Sequence, residues 1–513
     1  MVARIHTVAF EGIETLPVEV QVHLGAGLPA FTIVGLPDKA VAESRERVRA
    51  ALSSMGIQLP AKRILVNLAP ADVQKEGSHF DVPIALAMLV ALGMIPSDAL
   101  EGFVALGELA LDGQLQPVAG VLPAALGASA QGKGILCPAE NGAEAAFAGE
   151  IDILAPASLL MLINHVKGQQ VMARPQAALS FAEKSGPDLA EVRGQAIAKR
   201  ALEIAAAGGH NLLMTGPPGS GKSMLAACLP GILPPMTPEE MLETNLIASV
   251  AGKLVKGAFA GTRPFRDPHH SSSMASMVGG GRKAVPGEIS LAHHGILFMD
   301  ELPEYPRGVL ESLRQPLETG MISIARVEAH VTYPARFQLI AAMNPCRCGY
   351  LDDPGRACSK APRCAGDYQS RISGPLLDRI DLHVDVPAVD TLSMLTPANA
   401  EPSATVAARV LTARQMQQQR FNAMQLPART NAEVSGDALQ DMVQLDAESR
   451  ALLEHATRTL QLSMRGLTRV LRVARTIADL EQSRDVTRTH LAEALSYRQQ
   501  VLGREIAPSK EFA

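Results

Sequence analysis

Residues 211–224 read Asn-Leu-Leu-Met-Thr-Gly-Pro-Pro-Gly-Ser-Gly-Lys-Ser-Met, and no other stretch limits the possible folds as tightly. Leu212, Leu213 and Met214 predict a short buried strand. Gly216, Pro217, Pro218, Gly219, Ser220, Gly221, Lys222 and Ser223 then fill every fixed position of the pattern G-x-x-x-x-G-K-[ST]. A helix is expected immediately afterwards. Glycines let backbone N–H groups converge on an anion, and the positive end of the helix dipole faces the same point. A strand, loop and helix in this order cradle nucleotide phosphates, with Lys222 at the β/γ-phosphates and the Ser223 hydroxyl on Mg²⁺. The bland alternative, a glycine turn beside a chance lysine, does not account for the flanking strand and helix.

Two further apolar runs end in polar groups suited to the same site. Gly295-Ile-Leu-Phe-Met-Asp-Glu reads as a buried parallel strand whose carboxyl end meets ligand. Asp300 would hold Mg²⁺ through water and Glu301 would polarise the attacking water. An acidic pair can also merely terminate a strand. Phe337–Met343 predicts a third strand, ending in Asn344, whose amide can bridge the attacking water and the γ-phosphate. Three strands delivering chemistry to one sheet edge argue together better than any motif alone.

With 513 residues the chain is too long for one core, and roughly three domains are expected. Charge is nearly balanced, 47 Lys and Arg against 52 Asp and Glu, so any contact with nucleic acid must be local. The longest apolar run, Val82–Ile95, is too short to span a bilayer, and the N-terminus lacks a signal-peptide layout. A cytoplasmic location with no membrane contact is expected. No tryptophan and five tyrosines argue against broad stacking of single strands.

An α/β first domain is expected over residues 1–165. Val18, Val20, Val22 and Leu24 alternate with polar residues as in a half-buried strand, Asp38 is a plausible cap for a helix 38–54, and Asp81 opens another over 82–92. Asp112-Gly113 suits a hairpin turn. Residues 166–187, mixing Gly, Gln, Pro and Ser, suit a connector that lets the first domain move relative to the rest of the chain. A nucleotide-binding core is expected over 188–390 and an all-helical region over 391–513.

Two insertions in the core carry positive charge. Gly252–Val285 holds Lys253, Lys256, Arg263, Arg266, Arg282 and Lys283 against Asp267, together with His269 and His270. Met321–Pro334 reads as a hairpin with Arg326 at its turn. Basic loops are often only solvated, and the histidines could pack or cap. Cys346, Cys348, Cys358 and Cys364 fall within one short segment, which suits either a structural zinc or reduced thiols in a loop.

Leu106-Gly-Glu-Leu-Ala-Leu-Asp-Gly-Gln-Leu followed by Pro117-Val-Ala-Gly-Val resembles the S5-type proteolytic domain of Lon proteases. That family uses a serine–lysine dyad. Here Gly77-Ser-His-Phe-Asp replaces the serine element and Gly120–Ala128 has no lysine, so the resemblance implies an inactive domain. The order of phosphate loop, acidic strand and asparagine strand resembles the AAA+ ATPases, where Asn344 would be sensor 1. Leu376-Leu-Asp-Arg-Ile-Asp resembles an element of the magnesium-chelatase and MCM branch, which implies that Arg379 reaches a neighbouring subunit's γ-phosphate as a finger. The two insertions match that branch's helix-2 insert and pre-sensor-1 hairpin, and Ser463-Met-Arg-Gly-Leu-Thr-Arg resembles sensor 2 of the helical lid, with Arg465 favoured and Arg469 second; either could be an ordinary helix charge.

Arg263-Pro-Phe-Arg-Asp-Pro-His-His, Pro286-Gly-Glu-Ile-Ser-Leu-Ala-His and Ser373-Gly-Pro-Leu-Leu-Asp-Arg resemble signatures of the ComM/YifB family, over essentially the whole chain. That resemblance implies a homohexameric motor that uses ATP and Mg²⁺ to drive DNA branch migration in recombination during natural transformation. Arg263, Arg266, Arg282, Lys283 and Arg326 would then contact DNA. A magnesium-chelatase motor subunit and a protein-remodelling chaperone are the alternatives; the second would call for apolar pore loops.

Overall fold

The computed structural model describes residues 2–180, 186–254, 257–281, 284–325, 330–351, 355–388 and 401–498. The first domain is built on a seven-stranded mixed sheet. Its strands run in the order Ala30–Val34, Arg63–Ala69, Glu14–Gly25, Val2–Glu11, Phe103–Ala105, Gly134–Leu136 and Ile153–Leu154. Val18, Val20 and Val22 are fully buried, as the alternation requires. Helices Lys39–Ser54 and Asp81–Ala91 cover one face and Val121–Ala130 packs on the other.

Asp38 caps its helix, its carboxylate accepting the Val41 N–H at 2.8 Å. Asp81 is the first helical residue, and its buried carboxylate takes a bidentate clamp from Arg47, 2.6 Å from Nε and 2.8 Å from Nη2. That clamp ties the two helices of one face together. The Asp112-Gly113 turn joins strands Glu108–Leu109 and Leu115–Gln116. Ser78 donates to the Glu108 carboxylate, and buried His79 meets the Val8 carbonyl at 2.9 Å between the rings of Phe10 and Phe80.

Residues of the second unit form a five-stranded, all-parallel sheet in the order Phe265–Arg266, Ile296–Met299, Gln338–Met343, Leu212–Thr215 and Leu382–Asp385. Every residue of Ile296–Met299 and Gln338–Met343 is buried, which explains their apolar character apart from Gln338, whose amide donates to the Ala205 and His210 carbonyls. Because all five strands point one way, the loops after Thr215, Met299 and Met343 meet at a single edge.

Helices Ser403–Ala423, Ala447–Thr459, Met464–Leu480 and Arg488–Ser496 come next in the chain. They share one apolar cluster with the helix Ala196–Gly208. The last carbonyls of that helix are satisfied from outside it: Arg414 Nη2 donates to Ala206 at 2.9 Å, Gln417 Nε2 to Ala207 at 3.0 Å and Gln338 Nε2 to Ala205 at 2.9 Å. The helical region is thereby fastened to the parallel sheet. No helix among the described residues is long and apolar enough to cross a membrane.

The segment between the first two units is not a free tether. Leu179–Ser180 pairs in parallel with Phe259–Ala260. The Gly120 N–H donates to the Ser249 carbonyl at 3.1 Å, the Ser249 hydroxyl reaches the buried Glu144 carboxylate at 2.5 Å, and the rings of Phe147 and Phe259 stack 6° from parallel. Burial holds the Glu144 carboxyl above its usual range. A connector composition leaves such cross-domain contacts invisible, so the expected freedom of the first domain is corrected to a docked one.

Candidate nucleotide-binding and hydrolysis site

The phosphate loop takes the form its sequence demands. Gly219 and Gly221 lie at φ 77° and 90°, a region only glycine enters freely, and the helix Lys222–Cys228 starts at once. Gly216 has no room for a side chain, since a Cβ there would lie 2.1 Å from the Val386 carbonyl. Lys222 Nζ sits under the loop, 2.7 Å from the Gly216 carbonyl, 2.9 Å from that of Pro217, 3.4 Å from Ser220 Oγ and 3.3 Å from Asn344 Oδ1. Burial lowers its pKa, against the pull of Asp300 and Glu301. An ammonium held on carbonyls at the bottom of a loop of this shape fits a polyphosphate in place of them.

Ser223 Oγ donates to Asp300 Oδ2 at 2.8 Å, so hydroxyl and carboxylate already share one point, as a Mg²⁺ site requires. Asp300 Oδ1 accepts the Glu301 N–H at 2.9 Å and Glu301 stands at φ 51°, a left-handed conformation costly for a non-glycine residue. The Glu301 carboxylate is half-exposed and 3.3 Å from His270 Nδ1. Sequence reasoning left His270 open and gave Asp267 no role. Asp267 follows Arg266 at the end of the strand that pairs in parallel with Ile296–Met299, and burial and then Asp300 raise its pKa. The signal was a single apolar residue, Phe265, before Arg-Asp-Pro-His-His, because the strand there is only Phe265–Arg266.

Arg379 lies at the other end of the sheet. Its carbonyl accepts from Asn211 Nδ2 at 3.1 Å, and Asn211 precedes the strand whose far end enters the phosphate loop. Four residues of strand put about 13 Å between those ends. Glu318 binds the Arg379 guanidinium and also draws Arg465 to 3.7 Å. Burial lowers the Arg379 pKa while Glu318 raises it. Arg465 remains largely exposed, whereas Arg469 is turned inward onto buried Asp381 at 2.5 Å.

The two basic insertions pack on each other. Tyr333 Oη donates to the Ala284 carbonyl at 2.9 Å, and Gly279 lies against Ile324. Arg282, Lys283 and Arg326 fall outside the described residues. Arg263 and Arg266 are placed differently from the expectation of free DNA contacts. Arg263 Nε donates to the Pro234 carbonyl at 2.8 Å, Nη1 to that of His294 at 2.7 Å, and Nη2 to Glu240 at 2.7 Å. Arg266 is held by Glu288 at 2.6 Å. Both belong to the outer strand and its approach and are engaged by partners within the fold, Arg263 more fully than Arg266, whose side chain stays 35% exposed. Arg263→Ala should therefore cost about 2 kcal/mol by removing the charged hydrogen bond to buried Glu240, which keeps the Thr237 N–H at 3.1 Å and Arg429 at 3.8 Å, seen as a lower melting temperature with unchanged DNA affinity of the folded protein. An unchanged melting temperature with lost DNA binding would return Arg263 to the interface.

Cys346 and Cys348 Sγ are 3.0 Å apart, and the sulfurs of Cys346, Cys348 and Cys364 lie within 4.8 Å of one another. Cys358 hydrogen-bonds the thiols of both Cys348 and Cys364. Glu243, His293 and His294 also converge, but His293 Nδ1 accepts the Arg336 N–H at 3.0 Å, which leaves its proton on Nε2 facing Glu243 and makes that nitrogen a donor instead of a ligand.

Three family models match in sequence order: "Subunit ChlI of Mg-chelatase" over residues 20–141, "Magnesium chelatase, subunit ChlI" over 188–394 and "Magnesium chelatase, subunit ChlI C-terminal" over 400–498. Together with the catalytic edge of the parallel sheet, they define an ATPase of the magnesium-chelatase-like, AAA+-related class. The chain is 44% identical over 497 residues to YifB of Salmonella typhimurium, covering 97% of each, and 43% identical over 505 residues to the competence protein ComM of Haemophilus influenzae, covering 97% of this chain and 98% of that one. A magnesium-chelatase 67 kDa subunit of Chlorobaculum parvum is 27% identical over 35% of this chain and 27% of its own. The chain belongs to the ComM/YifB family of magnesium-chelatase-like proteins.

Proposed function

We propose that this protein is a ring-forming, ATP-driven DNA motor that promotes branch migration when incoming DNA recombines during natural transformation. The observation that carries the reading is the joined pair of insertions. Tyr333 and Ala284 fasten the hairpin Met321–Ala325/His330–Pro334 to the segment that begins beside the hydrolysis site. In the sequence Arg282 and Lys283 fall between the antiparallel pair Gly279–Gly280 and Val285–Pro286, and Arg326 between the two strands of the hairpin. Full-length similarity to a protein named for competence points the same way.

In this reading Lys222 and the loop N–H groups bind the ATP phosphates, Ser223 and Asp300 hold Mg²⁺, Glu301 takes the proton of the attacking water and Asn344 orients that water. Arg379 and Arg465, gathered on Glu318 far from their own phosphate loop, serve the next protomer's nucleotide, six protomers closing the ring. The first domain is an inactive Lon-like platform. Cys346, Cys348, Cys358 and Cys364 hold a structural Zn²⁺, the ion best suited to four thiolates.

ATP turnover measured with and without forked or single-stranded DNA tests the reading. Turnover rises with DNA, and the triple change Arg282→Ala, Lys283→Ala and Arg326→Ala removes the rise while basal turnover persists. DNA that neither binds nor stimulates, with Lys222→Ala inactive as a nucleotide-site control, would overturn it.

A further inference from the structure

The four-cysteine segment does more than form a stable loop, because of what it touches. Cys346 lies two residues after Asn344, and the turn beyond it closes with the Gly349 N–H on the Cys346 carbonyl at 3.0 Å. Gly349, at φ 85°, rests directly on the phosphate loop: a Cβ there would lie 2.6 Å from Pro218 Cδ. On the other side, Cys364 lies in the helix Arg363–Gln369. Two further residues of that helix grip the same strand end. Gln369 Nε2 donates to the Pro345 carbonyl at 2.9 Å, and the Tyr368 hydroxyl hydrogen-bonds the Asn344 backbone.

We infer that a zinc ion held by Cys346, Cys348, Cys358 and Cys364 acts as a staple that sets the position of Asn344 and of the phosphate loop. This rests on the proposal of a structural zinc and extends it from structure to catalysis. The sulfurs of Cys346, Cys348 and Cys364 lie within 4.8 Å of one another, with the Cys358 thiol beside Cys348 and Cys364, and the group can close into a tetrahedron whose sulfur–sulfur edges are about 3.8 Å for Zn–S bonds of about 2.3 Å. The ion joins the 346–349 turn to the helix that carries Tyr368 and Gln369. With it in place, Asn344 cannot drift from Lys222, 3.3 Å away. Without it, the hydrogen bonds of Gln369 and Tyr368 are left to hold the helix to the strand end, each worth little net because water competes for the same groups.

The test starts from protein purified without chelator, which should contain about one zinc per chain by elemental analysis. Stripping the metal, or Cys348→Ser with Cys364→Ser, should lower kcat for ATP roughly ten- to hundredfold, because misplacement of an orienting group by about 1 Å costs that much. Zinc added back to the stripped protein restores kcat. Cys137→Ser, in the first domain, leaves zinc content unchanged. In an Asn344→Ala background, stripping should cost little more, since the group that the staple positions is gone. Absence of zinc from the native protein would overturn both the structural zinc and the staple. A bound zinc whose loss leaves kcat unchanged, or whose loss costs as much in Asn344→Ala as in the native chain, would overturn the staple alone.

Discussion

Glu301→Gln should abolish steady-state ATP hydrolysis, lowering kcat by about 10²- to 10⁴-fold, while ATP still binds. Glutamine keeps the size and polarity of the side chain but cannot accept the proton of the attacking water. The groups that hold nucleotide stay in place: Lys222 on the loop carbonyls and Ser223 on Asp300 do not depend on the Glu301 carboxylate. The backbone is also undisturbed, because the Asp300 side chain fixes the Glu301 N–H independently of the group at the end of the Glu301 side chain. Turnover and nucleotide affinity measured on the same preparation separate the two roles. A fall of less than tenfold would remove Glu301 as the base, and a parallel loss of ATP affinity would make it a binding group.

Arg379→Ala and Lys222→Ala should each be nearly inactive alone and recover activity when mixed. The first variant keeps an intact phosphate loop but offers no arginine to its neighbour; the second offers the arginine but cannot bind nucleotide productively. A finger of this kind is worth about 10³- to 10⁵-fold in rate. In a ring with head-to-tail contacts, random assembly of equal amounts makes about a quarter of the interfaces competent. The proposed role in trans fits the place of Arg379 at the strand starts, where its carbonyl meets Asn211, while its own phosphate loop lies at the strand ends. Glu318 holds the guanidinium meanwhile, and a neighbour's phosphate must displace it. A mixture no more active than the sum of its parts would place the arginine in its own site or in the scaffold.

Most of the nucleotide site is legible without coordinates because each piece is local. The phosphate loop depends on glycines within eight consecutive residues, and Asp300, Glu301 and Asn344 each end a run of buried apolar residues that periodicity detects. The outer strand is two residues long, too short for any period, so the pocket side of Asp267 and His270 did not show. Charge counting meets a related limit. Arg263 and Arg266 lie in the most basic segment of the chain, yet their partners Glu240 and Glu288 come from before and after it, and only folding reveals which positive charges are already neutralised. The inward turn of Arg469 likewise depends on Asp381, a strand away from the lid helix that carries both Arg465 and Arg469.

By itself the amino-acid order determined a glycine-rich loop of the phosphate-loop pattern, a buried parallel sheet that feeds it, an acid pair at a strand end, a cysteine group and a helical end, since each is written in residues close together. Tertiary structure decided which arginines face inward, that the first domain is docked through Glu144, Ser249, Phe147 and Phe259, and that the cysteine turn abuts Pro218. Those outcomes depend on contacts between residues far apart in the chain. Local spacing carries no record of such contacts, because burial and charge pairing are settled only when separate elements pack.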